Sequence, residues 1–210
     1  MQARRATIIA LLIASLGAGG ARADELSRLL EKGPMARVEF DPRGRFDAVL
    51  TIVDVDAPPE DLWRALTAFE SYRFFMPRVS SVTERPAPAG ARYVDWSIDT
   101  PLVATKYTNL ATVDHGAMVL TAKTIEGDMS GSRYEWRVIK LGNSRCRMMH
   151  SAWPRNYAAI VGTLDDDQQT LMIGVAVGSV LATTRALKAR AEQLAKQRPM
   201  TPQPTISATP

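Results

Sequence analysis

Few side chains in these 210 residues are of a type that moves protons, holds metals or attacks carbonyls. There are two histidines, His115 and His150, and one cysteine, Cys146. A general acid or base must stand within hydrogen-bonding reach of the proton it transfers. The best grouping the sequence offers for that work is His150 with Asn109 or Tyr107. No Ser-His-Asp order, Gly-rich phosphate loop or Cys/His metal spacing is found, so no cofactor and no metal are implied. The acidic run Asp165-Asp166-Asp167 has the position of a helix start, where the dipole favours negative charge, and reads less well as a metal ligand set. His115 lies between Asp114 and Gly116, a turn composition, and is expected at the surface. A lone cysteine makes no intrachain disulfide, so the fold must rest on its core.

The charge balance excludes another class. Lys and Arg number 26 against 22 acids, with a pI near 9.4. Part of that excess lies in a segment that reads as a secretory signal peptide, residues 1–23. Arg4 and Arg5 form a positive start, 6–18 is apolar and uncharged, and Ala21-Arg22-Ala23 is a cleavage signal that places the cut before Asp24. The apolar stretch is shorter than the roughly 20 residues a spanning helix needs. Without Arg4, Arg5 and Arg22 the count is 23 basic against 22 acidic groups, a net +1. That is no footprint for nucleic acid. The expected location is the periplasm, after export across the inner membrane.

The rest divides into a domain over 24–196 and a Pro/Thr-rich tail over 197–210 that reads as disordered. Residues 24–32 have the spacing of a short amphipathic helix, ended by Gly33-Pro34. A hairpin follows, with arms at 38–41 and 46–55. Pro58 and Pro59 open a second helix, with Glu60 and Asp61 in its first turn and Leu62, Trp63, Leu66 and Phe69 on one face. An aromatic loop spans 72–77. Then come strands at 79–84, 92–99, 104–113, 118–125, 133–139 and 145–153, separated by turn residues, as in an antiparallel meander with one buried face. The last element is a long helix. Its segment 171–182 carries no charge, whereas the part beyond Thr184 is amphipathic. A helix apolar all round is buried on several sides.

Turning the charged residues outward assigns the inner faces of the strands. Trp96, Tyr107, Asn109, Met118, Leu120, Trp136, Met148 and His150 then point inward, joined by Met172, Val175 and Val177 from the helix. This set is aromatic and methionine-rich, which suits an adaptable apolar pocket. Asn109, Tyr107 and His150 would be its polar points. Each has a plainer reading: the tryptophans and methionines as core filling, and His150 as a hydrogen-bonded core histidine. The Phe74-Phe75-Met76 run reads either as a plug over the cavity or as an exposed, transient contact with a membrane or partner.

Residues 53–85 also resemble a known family. Ala57-Pro58-Pro59-Glu60-Asp61-Leu62-Trp63, Phe69-Glu70-Ser71-Tyr72 and Phe75-Met76-Pro77 are similar to the opening segment of the polyketide cyclase/dehydrase and lipid transport superfamily, which includes START domains and coenzyme Q-binding proteins. Residues 127–136 resemble its later Gly-x-Trp region. The resemblance covers roughly 46–195. It implies an α+β helix-grip (START-like) fold, a curved antiparallel sheet wrapped around a long C-terminal helix. It also implies a hydrophobic small-molecule or lipid ligand held in an internal cavity more often than catalysis. The competing expectations are a cyclase- or dehydratase-type enzyme acting on a polyketide-like substrate, and a solid-cored module that binds a partner through the Phe74–Met76 loop.

Overall fold

The computed structural model describes residues 20–99, 104–155 and 166–198. The apolar start of the chain, Asp165 of the acidic run and the Pro/Thr-rich tail from 199 onward lie outside these residues, while Asp166 and Asp167 open the final helix, as a helix-start reading expects. Helix α1 (Gly20–Glu31) begins four residues before the expected Asp24. It lies against the hairpin of β1 (Met35–Phe40) and β2 (Phe46–Val55), with Leu30 buried. Helix α2 (Pro59–Thr67) starts on Pro59, whose absent N–H has no partner to lose in a first turn. The expected aromatic loop is instead a 3-10 helix, Phe69–Phe74, running straight on from α2.

Six more strands follow: β3 (Val79–Pro86), β4 (Arg92–Asp99), β5 (Ala104–Asp114), β6 (Val119–Gly127), β7 (Arg133–Lys140) and β8 (Cys146–Trp153). They form one eight-stranded sheet in the order β1-β2-β8-β7-β6-β5-β4-β3, antiparallel throughout. Only one connection is long. β2 leaves for α2 and the chain returns at the far edge as β3, so the meander runs back until β8 pairs with β2. Pro86 is tolerated because it closes an edge strand, where no ladder bond depends on its nitrogen. The final helix, α3 (Asp166–Lys196), packs against β2 and α2.

Two packing regimes lie between sheet and helices. At one end large side chains interlock: Val53 and Val55 of β2, Leu62 and Leu66 of α2, Met148 of β8 and Leu187 of α3 are each at most 1% exposed and share one core cluster. Burying an aliphatic side chain of this size stabilises by about 1.5–3 kcal/mol. Toward the start of α3 the facing residues are small. Ala152 and Val49 meet Ala176 and Val180 in a second, minor cluster.

Polar pins hold α3 at the solid end. The hydroxyls of Thr51 and Thr184 meet at 2.8 Å, both buried. Lys188 donates to the Asp54 carbonyl at 2.9 Å and pairs with Glu192, which accepts the Asp56 N–H at 3.1 Å. Beyond the helix, Arg198 reaches the fully buried carboxylate of Asp61 on α2 at 3.0 Å, where Arg64 also binds at 2.9 Å. Thr184→Val strands the Thr51 hydroxyl in the interior and is expected to cost about 1–3 kcal/mol in urea unfolding, whereas Thr51→Val/Thr184→Val removes both partners and should recover most of that loss. A double variant as unstable as the single one would show that the hydroxyl pair is not what holds the helix.

Candidate functional site

The sheet's inner face and the first half of α3 enclose a cavity of about 500 Å³, within the usual range for small-molecule sites. Its existence follows from side-chain size. Ala111, Ala122 and Ala152 face inward from β5, β6 and β8, and Ala176, Gly178, Ser179 and Ala182 face them from α3. Where both surfaces carry small side chains, a curved sheet and a straight helix do not meet. The mouth lies where exposed lining residues sit: Val175 (45% exposed), Gly178 and Ser179 on α3, and Pro77 and Arg78 before β3. Arg78 is held at φ 64°, and its carbonyl accepts the Asp99 N–H at 2.8 Å.

Two aromatic walls flank the cavity. On one side Tyr72 meets Trp96 edge-on, with centroids 5.3 Å apart, and Trp96 stacks on Tyr107 at 6.3 Å. Tyr72 is anchored by its hydroxyl, which donates to the Leu66 carbonyl at 2.9 Å, and burial raises its pKa. On the other side Tyr134, Trp136 and His150 form a continuous stack, with 5.9 Å between the first two rings and 4.5 Å between the last two. Trp136 and His150 are direct cross-strand partners of β7 and β8, and such aromatic pairs contribute roughly 0.5–1.5 kcal/mol beyond their burial. Between the walls is a buried polar patch. The Thr124 hydroxyl donates to Asn109 Oδ1 at 2.8 Å, and the Tyr134 hydroxyl is partnered by Ser132 and Thr124. Gly127 lets the end of β6 close on the backbone of β5: at φ +87°, a Cβ there would sit 2.2 Å from the Lys106 carbonyl oxygen.

Of the residues expected to line a pocket, Trp96, Tyr107, Asn109, Leu120, Trp136, His150 and Val175 do so. Met148 and Met118 do not. Both lie toward the end of the sheet covered by α2. Met148 is 1% exposed within the main core, and Met118 packs against the same core from a left-handed turn at φ 50°. Val177 packs on the minor cluster beside the cavity. Met172 is on α3, but its side chain is outside the described residues. Tyr72, Met129 and Tyr134 also line the cavity and were not among the expected lining residues, and Met76 lines it as the plug reading of its run allows; Tyr134 shares the alternation that pointed to Trp136.

The polar points behave differently from one another. The Asn109 oxygen is satisfied by Thr124, but among the described residues His150 is hydrogen-bonded to neither Asn109, Tyr107 nor any other group. Both of its ring nitrogens, and the indole nitrogens of Trp96 and Trp136, are buried without a partner among the described residues. His115 is exposed as expected, yet its Nδ1 accepts the Trp63 indole N–H at 3.0 Å, tying the β5–β6 turn to α2. Cys146 is wholly buried, and burial pushes its thiol up to about 12. The exposed member of the Phe74–Met76 run is Phe74, at 76%, while Met76 turns in to line the cavity. Among the described residues no cluster of His, Cys, Asp or Glu could hold a metal, and no helix is long and apolar enough to cross a membrane.

Desolvation holds the His150 imidazole neutral, with its pKa lowered from 6.5 to about 3. The unfolded chain therefore takes up this proton first as the pH falls. The residue's contribution is complete above 6.5 and is lost on the way down to about 3, at a limiting slope of about 1.4 kcal/mol per pH unit. Denaturant unfolding between about pH 7 and about pH 5 should show the wild type losing more stability than His150→Phe, which keeps the stacked ring but cannot titrate. Parallel pH curves for the two proteins would contradict a buried, neutral His150.

Comparison with known proteins places this architecture. No curated protein matches the chain, but solved structures do. The Zhui aromatase/cyclase from Streptomyces sp. R1128 superposes with a TM-score of 0.59 at 20% identity, over 76% of this chain and 95% of that one. A START superfamily protein from Mycobacterium smegmatis does so with a TM-score of 0.58 at 14% identity, over 70% and 99%. Norcoclaurine synthase from Thalictrum flavum, in complex with dopamine and hydroxybenzaldehyde, gives 0.54 at 11%, over 79% and 90%. At such identities the likeness is one of fold: an α+β helix-grip architecture of the START type. The family described as polyketide cyclase / dehydrase and lipid transport matches residues 55–186. With more than half of its length matched, the chain belongs to that family.

Proposed function

We propose that this protein is a non-catalytic carrier that binds a hydrophobic small molecule or lipid in the cavity under α3. The observation that carries the reading is the cavity itself, about 500 Å³ and lined mainly by carbon. No carboxylate is among its described lining residues. The one histidine is held neutral with a pKa near 3, which makes it a feeble general base at ordinary pH. The signal-like start of the chain supports a periplasmic setting, where an apolar cargo needs shelter from water.

The enzyme reading is the second one, favoured by the aromatase/cyclase and norcoclaurine synthase among the fold neighbours. It would need a proton-transfer pair, and His150 is hydrogen-bonded to neither Asn109 nor Tyr107. Turnover of a polyketide-like substrate that disappears in His150→Ala would reverse this ranking.

Two measurements test the carrier. Solvent extraction of the purified protein followed by mass spectrometry should yield an apolar ligand in substoichiometric or greater amount. Ser179→Trp, at the exposed mouth on α3, should sharply reduce that load with the melting temperature unchanged. No ligand in repeated preparations, and no uptake from a lipid panel, would sink the proposal. For the setting, intact mass of the exported protein should correspond to a chain starting at Asp24; protein retained in the cytoplasm at full length would refute it.

A further inference from the structure

We propose that the side-chain amide nitrogen of Asn109 is the cavity's recognition point, donating to a carbonyl oxygen of a hydrophobe whose carbon skeleton lies beside Ala111 and Ala122. This rests on the carrier reading and narrows its ligand class. Asn109 is 5% exposed and lines the cavity. A carboxamide has one accepting oxygen and one nitrogen with two N–H donors. The Thr124 hydroxyl donates to Oδ1 at 2.8 Å, so the oxygen is engaged in the fold. Among the described residues no group accepts from Nδ2. Unlike the nitrogens of Trp136 and His150, Nδ2 is not sealed by its neighbours, and the exposure that Asn109 retains opens on the cavity.

The sheet sets the amide in this attitude. β5 and β6 shift register between Thr108 and Asn109: Thr108 faces Glu126 and Asn109 faces Thr124, which leaves Ile125 unpaired. Bulges of this kind re-aim side chains. In unbroken register the neighbour of Asn109 would be Ile125, which has no proton to give. The shift supplies a buried hydroxyl instead. The Tyr134 hydroxyl is partnered by Ser132 and Thr124. By donating to Thr124 it leaves the threonine proton for Oδ1, so the nitrogen end of the carboxamide is the one turned to the cavity.

The neighbouring side chains leave room at the nitrogen and offer it no acceptor. Val94 is the partner of Asn109 on β4, and Ala111 follows on the same face of β5, opposite Ala122. All three line the cavity with methyl groups. Buried polar groups are as a rule satisfied, and exceptions call for a specific cause. A pure hydrocarbon in the chamber would displace water from the amide and strand its N–H groups, whereas a carbonyl replaces that water with an acceptor.

Equilibrium dialysis of the full chain against fluorene, 9-fluorenol and 9-fluorenone separates the cases, because the three share one skeleton. The ketone should bind about tenfold tighter than the hydrocarbon. In Asn109→Leu fluorene should bind tighter, since no N–H is stranded, and the advantage of the ketone should disappear. Asn109→Leu/Thr124→Val, which also removes the hydroxyl that the first change leaves unpaired, should behave in the same way; both are checked by their unfolding midpoints. Infrared spectra give a readout in the unaltered chain: the carbonyl stretch of bound fluorenone should lie below its value in hexane. Equal binding of fluorene and fluorenone, an advantage for the alcohol alone, a ketone preference that survives in both variants, or a bound stretch at the hexane value would overturn the assignment and leave the carrier standing. Loading of a lipid without uptake of fluorenone would do the same. Failure of all three probes and of every lipid tested would remove the carrier, and this inference with it.

Discussion

Everything in this molecule depends on how α3 is fastened. The helix is fixed to the sheet and to α2 along its second half, through the Thr51–Thr184 hydroxyl pair, the buried Leu187 and Ala191, and the Arg198–Asp61 ion pair. Its first half presents Gly178, Ser179 and Ala182, which reach toward the strands without filling the space. A helix is stiff over a few turns, so anchoring one half sets the height of the other. The cavity is the space left by that lever, not a groove carved into the sheet.

The aromatic walls are packing in the first place. The rings of Tyr134, Trp136 and His150 stack on one another, and the ring nitrogens of the last two are buried without a hydrogen-bond partner among the described residues. The polar patch of Asn109 Oδ1, Thr124 and Ser132 is satisfied internally and behaves as structure. The site thus divides its polar atoms into those spent on the fold and those buried without a partner among the described residues.

Much of the fold was readable because its signals are local. The alternation Arg92-Tyr93-Val94-Asp95-Trp96 predicts β4 at its observed bounds, and Pro58-Pro59-Glu60-Asp61 marks the start of α2. Face assignment worked for Trp96, Asn109, Leu120, Trp136 and His150 because period 2 reports which side a residue takes. It says nothing of what stands opposite. Met118 and Met148 point to the correct side but meet large residues at the solid end, a fact set by α2 and α3 arriving from distant parts of the chain. The alanines at 111, 122 and 152 carried a signal that was overlooked: a run of small inward residues on adjacent strands marks where a sheet leaves room. The unpartnered state of His150 was not readable at all, since it depends on Thr51 being engaged by a residue 133 positions away.

Of the residues that α3 turns to the cavity, Ala176 and Val180 also belong to the minor core cluster, whereas Ala182 belongs to neither cluster. A change from alanine to valine or leucine at position 182 would shrink the chamber and leave both clusters intact, while the same change at 176 would overpack the contact with Val49 and Ala152. Ligand size and conformational stability are thus separable at some positions of one helix and coupled at others.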